Sequence, residues 1–397
     1  MLPLVLSVCC LVVVSLLVIR RVARRIGWSW FGPVGSLAFL GHFLFAVVVL
    51  PRLPYAWDIA KFHGRAMSIL AGRLPSPNPT VNSFAALEAV LYAVLTPDPT
   101  VVAVFNGLLA VLVVVPVVDL TRSLYPELPV SHGVAIPVLF LPLPFVFLTV
   151  PMRDALSVLL FFVVLAALAR GVRGNLWPPV LVIPVWGALS LLRPELGIVV
   201  LAAGVAGAGL LLLDVVLIRP LRIRSLTALT SVLALAATPF VGPFLPVESI
   251  NTRVQSRAIG GAAYLEHADY ETWVDLVVAA PIRAVYFQYA PFPLHVSSAF
   301  DLVAVGMLPV LVALTVAAYR SARACYRSRS VLAVVVVVYV LGVIGYGLID
   351  SNFGTTVRHR IPFTFLLCVL AGPTLERWWR LVLGRVGLAS VSERARD

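Results

Sequence analysis

The sequence predicts an all-α protein, a polytopic bundle of transmembrane helices. Three observations predict it. Hydrophobic residues make up 61% of the 397 residues and charged ones only 12%, about half the charged share of a soluble domain. A water-soluble chain of this size could not bury so much apolar surface. The apolar residues also fall in runs close to the roughly 20 that a helix needs to cross a bilayer. Finally, every basic residue except Lys61 is an arginine, and the arginines concentrate in alternate gaps between the runs. A soluble enzyme, a disordered chain and a disulfide scaffold are excluded. The net charge of +12 finds its explanation in membrane topology, and no nucleic-acid partner is expected.

Eleven runs are expected to be spans, about residues 2–19, 28–50, 100–120, 132–150, 155–169, 177–192, 196–218, 226–246, 296–318, 331–349 and 361–376. The first has no basic segment before it, and Arg20, Arg21, Arg24 and Arg25 after it. That pattern is not a cleavable leader; it puts the N-terminus outside and this arginine cluster in the cytoplasm. Alternating from there, the inner face collects 19 basic and six acidic residues, a net of +13, and the outer face nets −1. The C-terminus is then cytoplasmic, and Trp378 and Trp379 lie at the inner interface, where Trp is favoured. The inner loops are short and hold no phosphate-cradling glycine loop, so no cytoplasmic catalytic domain is expected. The chain reads as one integral membrane domain, 1–397, in four parts. These are a first span and basic loop (1–27), a core with an outer loop at 51–99 (28–246), a second outer loop (247–295), and C-terminal spans with a basic tail (296–397). The expected location is the plasma membrane, with the active site facing outside.

Cysteine adds little. Cys9, Cys10 and Cys368 lie in apolar runs and Cys325 in a basic loop, with no spacing for a disulfide or a metal. His63, His267 and His295 share no metal-ligand spacing. His42 lies within a span, where it needs a hydrogen-bond partner.

The outer loops hold the polar residues from which a site is built. In 55–72, Ile59, Phe62, Ala66, Ile69 and Leu70 recur at helical spacing, while Asp58, Lys61 and Arg65 take another face. This predicts an amphipathic helix in the membrane interface. A stretch with Pro75, Pro77 and Pro79 follows. Asn82 or Ser83 then caps a second helix, 84–95, which carries Glu88 and is short for a span.

The segment YAWDIAKFHGRAMSILAGRLPSPNPTVNSFAALEAVLYAVL (55–95) resembles the first outer loop of the GT-C superfamily, polytopic glycosyltransferases that use polyprenyl-phosphate-linked sugars. PMRDALSVLL (151–160), LLRPELGI (191–198) and NFGTTVRHRIPF (352–363) are similar, more weakly, to outer-end motifs of bacterial and archaeal members and of related polysaccharide polymerases. The resemblance implies a GT-C-like bundle in which Asp58, just after a transmembrane helix, is the catalytic base or acceptor-binding group. Lys61, His63 and Glu88 are further loop candidates.

Transfer from a lipid phosphate needs a carboxylate to take the acceptor's proton and cations to hold the leaving phosphate. Arg153 with Asp154, Arg193 with Glu195, and Arg358, His359 and Arg360 stand at outer helix ends, where the positive-inside bias disfavours them. Two readings compete: phosphate binding, and local pairing of Arg153 with Asp154 and of Arg193 with Glu195. Gly354 and Thr355 offer a turn whose N–H groups can bind phosphate oxygens. In the second loop, Tyr286, Phe287, Tyr289 and Phe292 suit either sugar stacking or an interfacial aromatic belt.

The expected partners are a polyprenyl-phosphate-linked sugar donor, a glycan, lipid or protein acceptor, and membrane lipid. No cofactor is predicted. Some superfamily members use a divalent cation, but Asp58 and Glu88 alone do not specify one. A polysaccharide polymerase or ligase would share the lipid-linked donor and the outer arginines. A transporter or flippase of lipid-linked sugars would instead show internal repeats and charges at the bilayer midplane.

Overall fold

The structure is a computed structural model that describes residues 2–53, 58–73, 79–128, 132–173, 182–216, 247–258, 262–266, 269–325 and 329–385. These residues are all-α, apart from an isolated antiparallel bridge between Ala263 and Asn352. Among the described residues, six helices are long and apolar enough to cross a membrane: α1 (Leu2–Ile26), α2 (Phe31–Arg52), α5 (Pro99–Leu124), α8 (Asp154–Val172), α13 (Ala299–Arg323) and α14 (Arg329–Ile349). A seventh span results if α6 (His132–Phe140) and α7 (Pro142–Thr149), bent by 57°, count as one. The chain is therefore a multi-span helical membrane protein.

Between and after these lie α3 (Ile59–Leu70), α4 (Pro79–Val94), α9 (Ile183–Leu192), α10 (Pro194–Val216), α11 (Val247–Arg257), α12 (Trp273–Tyr289), α15 (Phe353–His359), α16 (Ile361–Leu370) and α17 (Gly372–Arg385). The structure does not reproduce eleven uninterrupted spans. The bend in 132–150 falls at Leu141, whose extended backbone precedes Pro142 at the first turn of α7, where proline disfavours a helical predecessor. The run 361–376 is interrupted at Ala371, between α16 and α17. The run 177–192 narrows to the 10 residues of α9, about 15 Å of helix, its start lying outside the described residues. The run 226–246 also lies outside them, as do Pro54–Trp57, Pro75, Pro77 and His267.

The chain divides into two compact units. The first holds Met1–Val117, Ala135–Val164 and Val180–Ile198. Here α1 turns a stripe of Ser7, Leu11, Ser15, Ile19 and Ala23 inward, the i, i+4 spacing of one helix face. Leu6, Val13 and Leu17 stay exposed on its other side, as a lipid-facing surface requires. The close approach of α2 to α5 depends on Gly107, where a Cβ would stand 2.8 Å from the Cβ of His42. His42 is buried, stacks on Phe145 and hydrogen-bonds Thr149 at 2.6 Å. It therefore has the partner that its place in a span demands.

The second unit holds Val118–Val134, Leu165–Pro179 and Val199–Asp397. Its core centres on α14 and α16, and α16 is buried along its whole length. The 247–295 region is more than a loop, since it contains α11 and α12. The latter is amphipathic in an inverted sense. Arg283, Phe287 and Gln288 are buried, while Val274, Val278, Ile282 and Val285 are exposed. That distribution suits a helix whose outer side meets hydrocarbon.

Candidate functional site

In the first unit, α3 and α4 form the pair of short helices expected after the second span. α3 ends in a Schellman turn: Arg73 N–H reaches Ser68 C=O, Gly72 N–H reaches Ile69 C=O, and Gly72 has φ +70°. Phe62 and Ala66 on α3 are buried against α4, with Phe62 edge-on to Phe84 at 5.2 Å. The second helix starts earlier than expected, at Pro79 rather than at residue 84. Proline suits a first helical turn, and Ser83 spends its hydroxyl on the Pro79 carbonyl at 2.6 Å rather than capping. Asn82 accepts from Arg65 at 3.0 Å and so ties the two helices together.

Asp58 takes the N-cap position of α3, but its side chain does not cap the helix. It is exposed, as is Lys61. His63, Tyr92 and Glu88 form a hydrogen-bonded chain across the two helices. Tyr92 donates to Glu88 Oε1 at 2.6 Å, and His63 Nδ1 lies 3.0 Å from the Tyr92 oxygen. Because the phenol proton goes to Glu88, the bond to the Tyr92 oxygen is donated by His63 Nδ1–H. Glu88 is 1% exposed and Tyr92 3%. Burial pushes the Glu88 carboxyl up to about 7, although the Tyr92 hydrogen bond pulls the other way. Burial, then the Glu88 contact, holds the Tyr92 phenol well above its ordinary value. Glu88 Oε2 is buried with no hydrogen-bond partner among the described residues. Tyr92 escaped sequence reasoning, although its place one turn after Glu88 is a usable signal.

Arg153 precedes α8 and is half-buried. Its Nη1 donates to the Leu192 carbonyl at 2.9 Å and to the Thr80 carbonyl, on α4, at 3.3 Å. Arg193, at the C-terminal end of α9, forms an ion pair with Asp154, the first residue of α8. Both are buried. The pair thus joins residues 39 apart. Glu195 is half-buried in the first turn of α10. Arg153 therefore stands beside the α3–α4 pair, and the Arg193–Asp154 pair holds the adjoining helix ends together.

In the second unit the third group resolves into inner and outer parts. Asp350 is fully buried and accepts from Arg257 and from His359 Nδ1, the latter at 2.8 Å. Arg360, 3% exposed, donates from Nη1 to the carbonyls of Ala290 and Gln288 at 2.5 and 3.4 Å. Arg283 joins this layer, reaching Ser351 Oγ at 3.1 Å and the Leu265 carbonyl at 2.9 Å, with the Tyr270 ring 5.5 Å away. Of the three residues expected to bind phosphate here, only Arg358 is half-exposed. His359 and Arg360 are built into the interior. Asn352 caps α15 through its contacts with the N–H groups of Gly354 and Thr355; a protein side chain therefore takes the place proposed for phosphate oxygens.

The aromatics of the second loop also separate. Phe287 is fully buried. Tyr286 stacks on Tyr264, which stacks on Phe353, and Phe292 meets Tyr286 edge-on. Tyr289 donates to Thr315 at 3.0 Å. Among the described residues, no group of three or more His, Cys, Asp or Glu side chains is arranged to hold a metal ion. No family model, no curated protein and no solved structure matches the chain.

Proposed function

We propose that the chain is a membrane glycosyltransferase of GT-C type, moving a sugar from a polyprenyl-phosphate-linked donor to an extracytoplasmic acceptor. In this reading the plasma membrane holds about eleven spans, with the N-terminus outside and the C-terminus in the cytoplasm. The arginine distribution supports that orientation. One observation carries the reading. Asp58 opens α3, its side chain exposed and not spent on capping, on a pair of short packed helices that follows a long apolar helix.

The chemistry follows from the groups. Asp58 takes the proton of the acceptor hydroxyl as that oxygen attacks C1 of the sugar. The bond from C1 to the phosphate oxygen breaks, and negative charge grows on the departing lipid phosphate. A guanidinium suits that charge, because its planar fork matches phosphate oxygens. Arg153 is the proposed cation, since its hydrogen bond to Thr80 sets it at the start of α4. Arg193 and Asp154 position the helix ends on which it stands. The donor's lipid tail remains in the bilayer, so the reaction takes place at the interface.

The test is sugar transfer in membranes carrying Asp58→Asn. The reading requires loss of transfer in a protein that still inserts and folds. Product length separates it from a polymerase, which would build a long chain where a transferase adds a single sugar.

A further inference from the structure

The turn between α1 and α2 encloses a concavity of about 390 Å³, lined by Arg20, Ala23, Arg24, Gly27, Ser29 and Gly32. Local chemistry fixes its shape. Gly27 adopts φ +69° just past the end of α1. Trp28 N–H returns to the Ala23 carbonyl at 3.1 Å and Gly27 N–H to the Arg24 carbonyl at 3.4 Å. This is a Schellman stop, and it sets the chain direction without a mobile linker. Trp28 and Trp30 then stack at 5.9 Å, each edge-on to Phe31. The aromatic cluster ties the turn to the first residue of α2.

Arg20 and Arg24 stand one turn apart on α1, so their side chains project to the same side. Both are exposed, and neither has an ion pair or side-chain hydrogen bond among the described residues. Across the concavity lie the Ser29 hydroxyl and Gly32, in the first turn of α2. In that turn Phe31 N–H donates to the Trp28 carbonyl and Val34 N–H to the Trp30 carbonyl, and Pro33 has none to offer, so the arginines supply the site's donors. The concavity joins the ends of two apolar helices long enough to span, so it lies at the membrane–water boundary on either orientation of the chain.

We propose that this concavity binds the phosphate of an anionic phospholipid headgroup. The two guanidinium groups engage the phosphate oxygens, Ser29 adds a hydroxyl, and the glycines leave room for the headgroup. The acyl chains continue along the exposed apolar side of α1, where Val13, Val14 and Leu17 lie. A lipid is favoured over a free anion because the site adjoins hydrocarbon on that side. The proposal stands apart from the transferase reading.

Native mass spectrometry of the purified full-length protein in detergent tests it, with phosphatidylglycerol, phosphatidylcholine and inorganic phosphate as probes. The wild type should retain phosphatidylglycerol in preference to phosphatidylcholine. Two variants separate a site from a bare topology signal. Gly32→Leu keeps both charges but fills the concavity; a Cβ there makes only ordinary contact, 3.7 Å from Ala23 Cβ. Arg20→Lys with Arg24→Lys keeps the charge that topology needs but removes the planar forks. Each should cut the preference about tenfold, the change of one hydrogen-bond-sized interaction. Equal retention of the two lipids by the wild type overturns the proposal. So does a preference that survives in both variants, because the arginines would then serve topology alone. Displacement of phosphatidylglycerol by equimolar inorganic phosphate would assign the site to a free anion and also overturn it.

Discussion

Tyr92 donates a 2.6 Å hydrogen bond to Glu88, one turn back on the same helix, and both side chains are buried. The carboxyl's burial has a consequence for stability. Its ordinary value of 4.5 rises to about 7 in the fold. The folded protein therefore keeps a proton that the unfolded chain gives up between those values. The resulting stabilisation is complete below about pH 4.5 and is lost as pH rises through 7. Thermal unfolding of the detergent-solubilised protein should show falling stability across that window. Glu88→Gln should flatten the dependence, and a wild-type profile as flat as the variant's would refute the assignment.

Arg193 and Asp154 form an ion pair with side chains only 5% and 6% exposed. Removing one partner breaks a buried ion pair and strands part of the other's charge. Arg193→Met alone, or Asp154→Leu alone, should cost about 3–5 kcal/mol, whereas the double substitution should come close to wild type. Unfolding midpoints of the four proteins give the coupling directly. Additive losses would mean that the pair does not hold α8 and α9 together.

Two glycines on α14 should respond in opposite ways. A Cβ at Gly342 would fall 1.9 Å from Phe363 Cε1, whereas one at Gly345 meets nothing within 4 Å. Phe363 is fully buried, so its ring cannot swing aside. Gly342→Ala should cost about 1–3 kcal/mol or more through overpacking. Gly345→Ala should be neutral or slightly stabilising, since alanine favours helix. Yield and melting temperature in detergent check both. Equal tolerance would put the α14–α16 contact in error.

Much of this architecture was legible in the sequence, for a physical reason. A long apolar run in hydrocarbon must satisfy its backbone within itself, so it reads as a helix with little ambiguity. The long spans α1, α2, α5, α8, α13 and α14 follow from that rule. The breaks were harder to read. Pro142 lies in an apolar run, and hydropathy does not register the backbone bend beside it. The start of α4 was hidden because Pro79 looks like one more proline in a proline-rich stretch.

Side-chain partnerships were less legible still. Sequence proximity gives no sign that packing brings Asp154 to Arg193 from 39 residues away. Asp350 lies eight residues before Arg358 in the sequence. Its carboxylate accepts from Arg257 and His359, a partnership set by how α11 packs on α14. Tyr92 was not singled out, because helical spacing alone does not show where a hydroxyl points.

Asp58 is the proposed base in sugar transfer. The direct measurement is transfer of a radiolabelled sugar from a polyprenyl-phosphate donor in vesicles containing wild type or Asp58→Asn. Asp58 is exposed and asparagine keeps its size and shape, so the variant should insert and fold. Wild type should transfer the sugar, and the variant should lose about 10²–10⁴-fold, the scale of general-base catalysis. Undiminished transfer by a normally inserted Asp58→Asn protein would contradict that role.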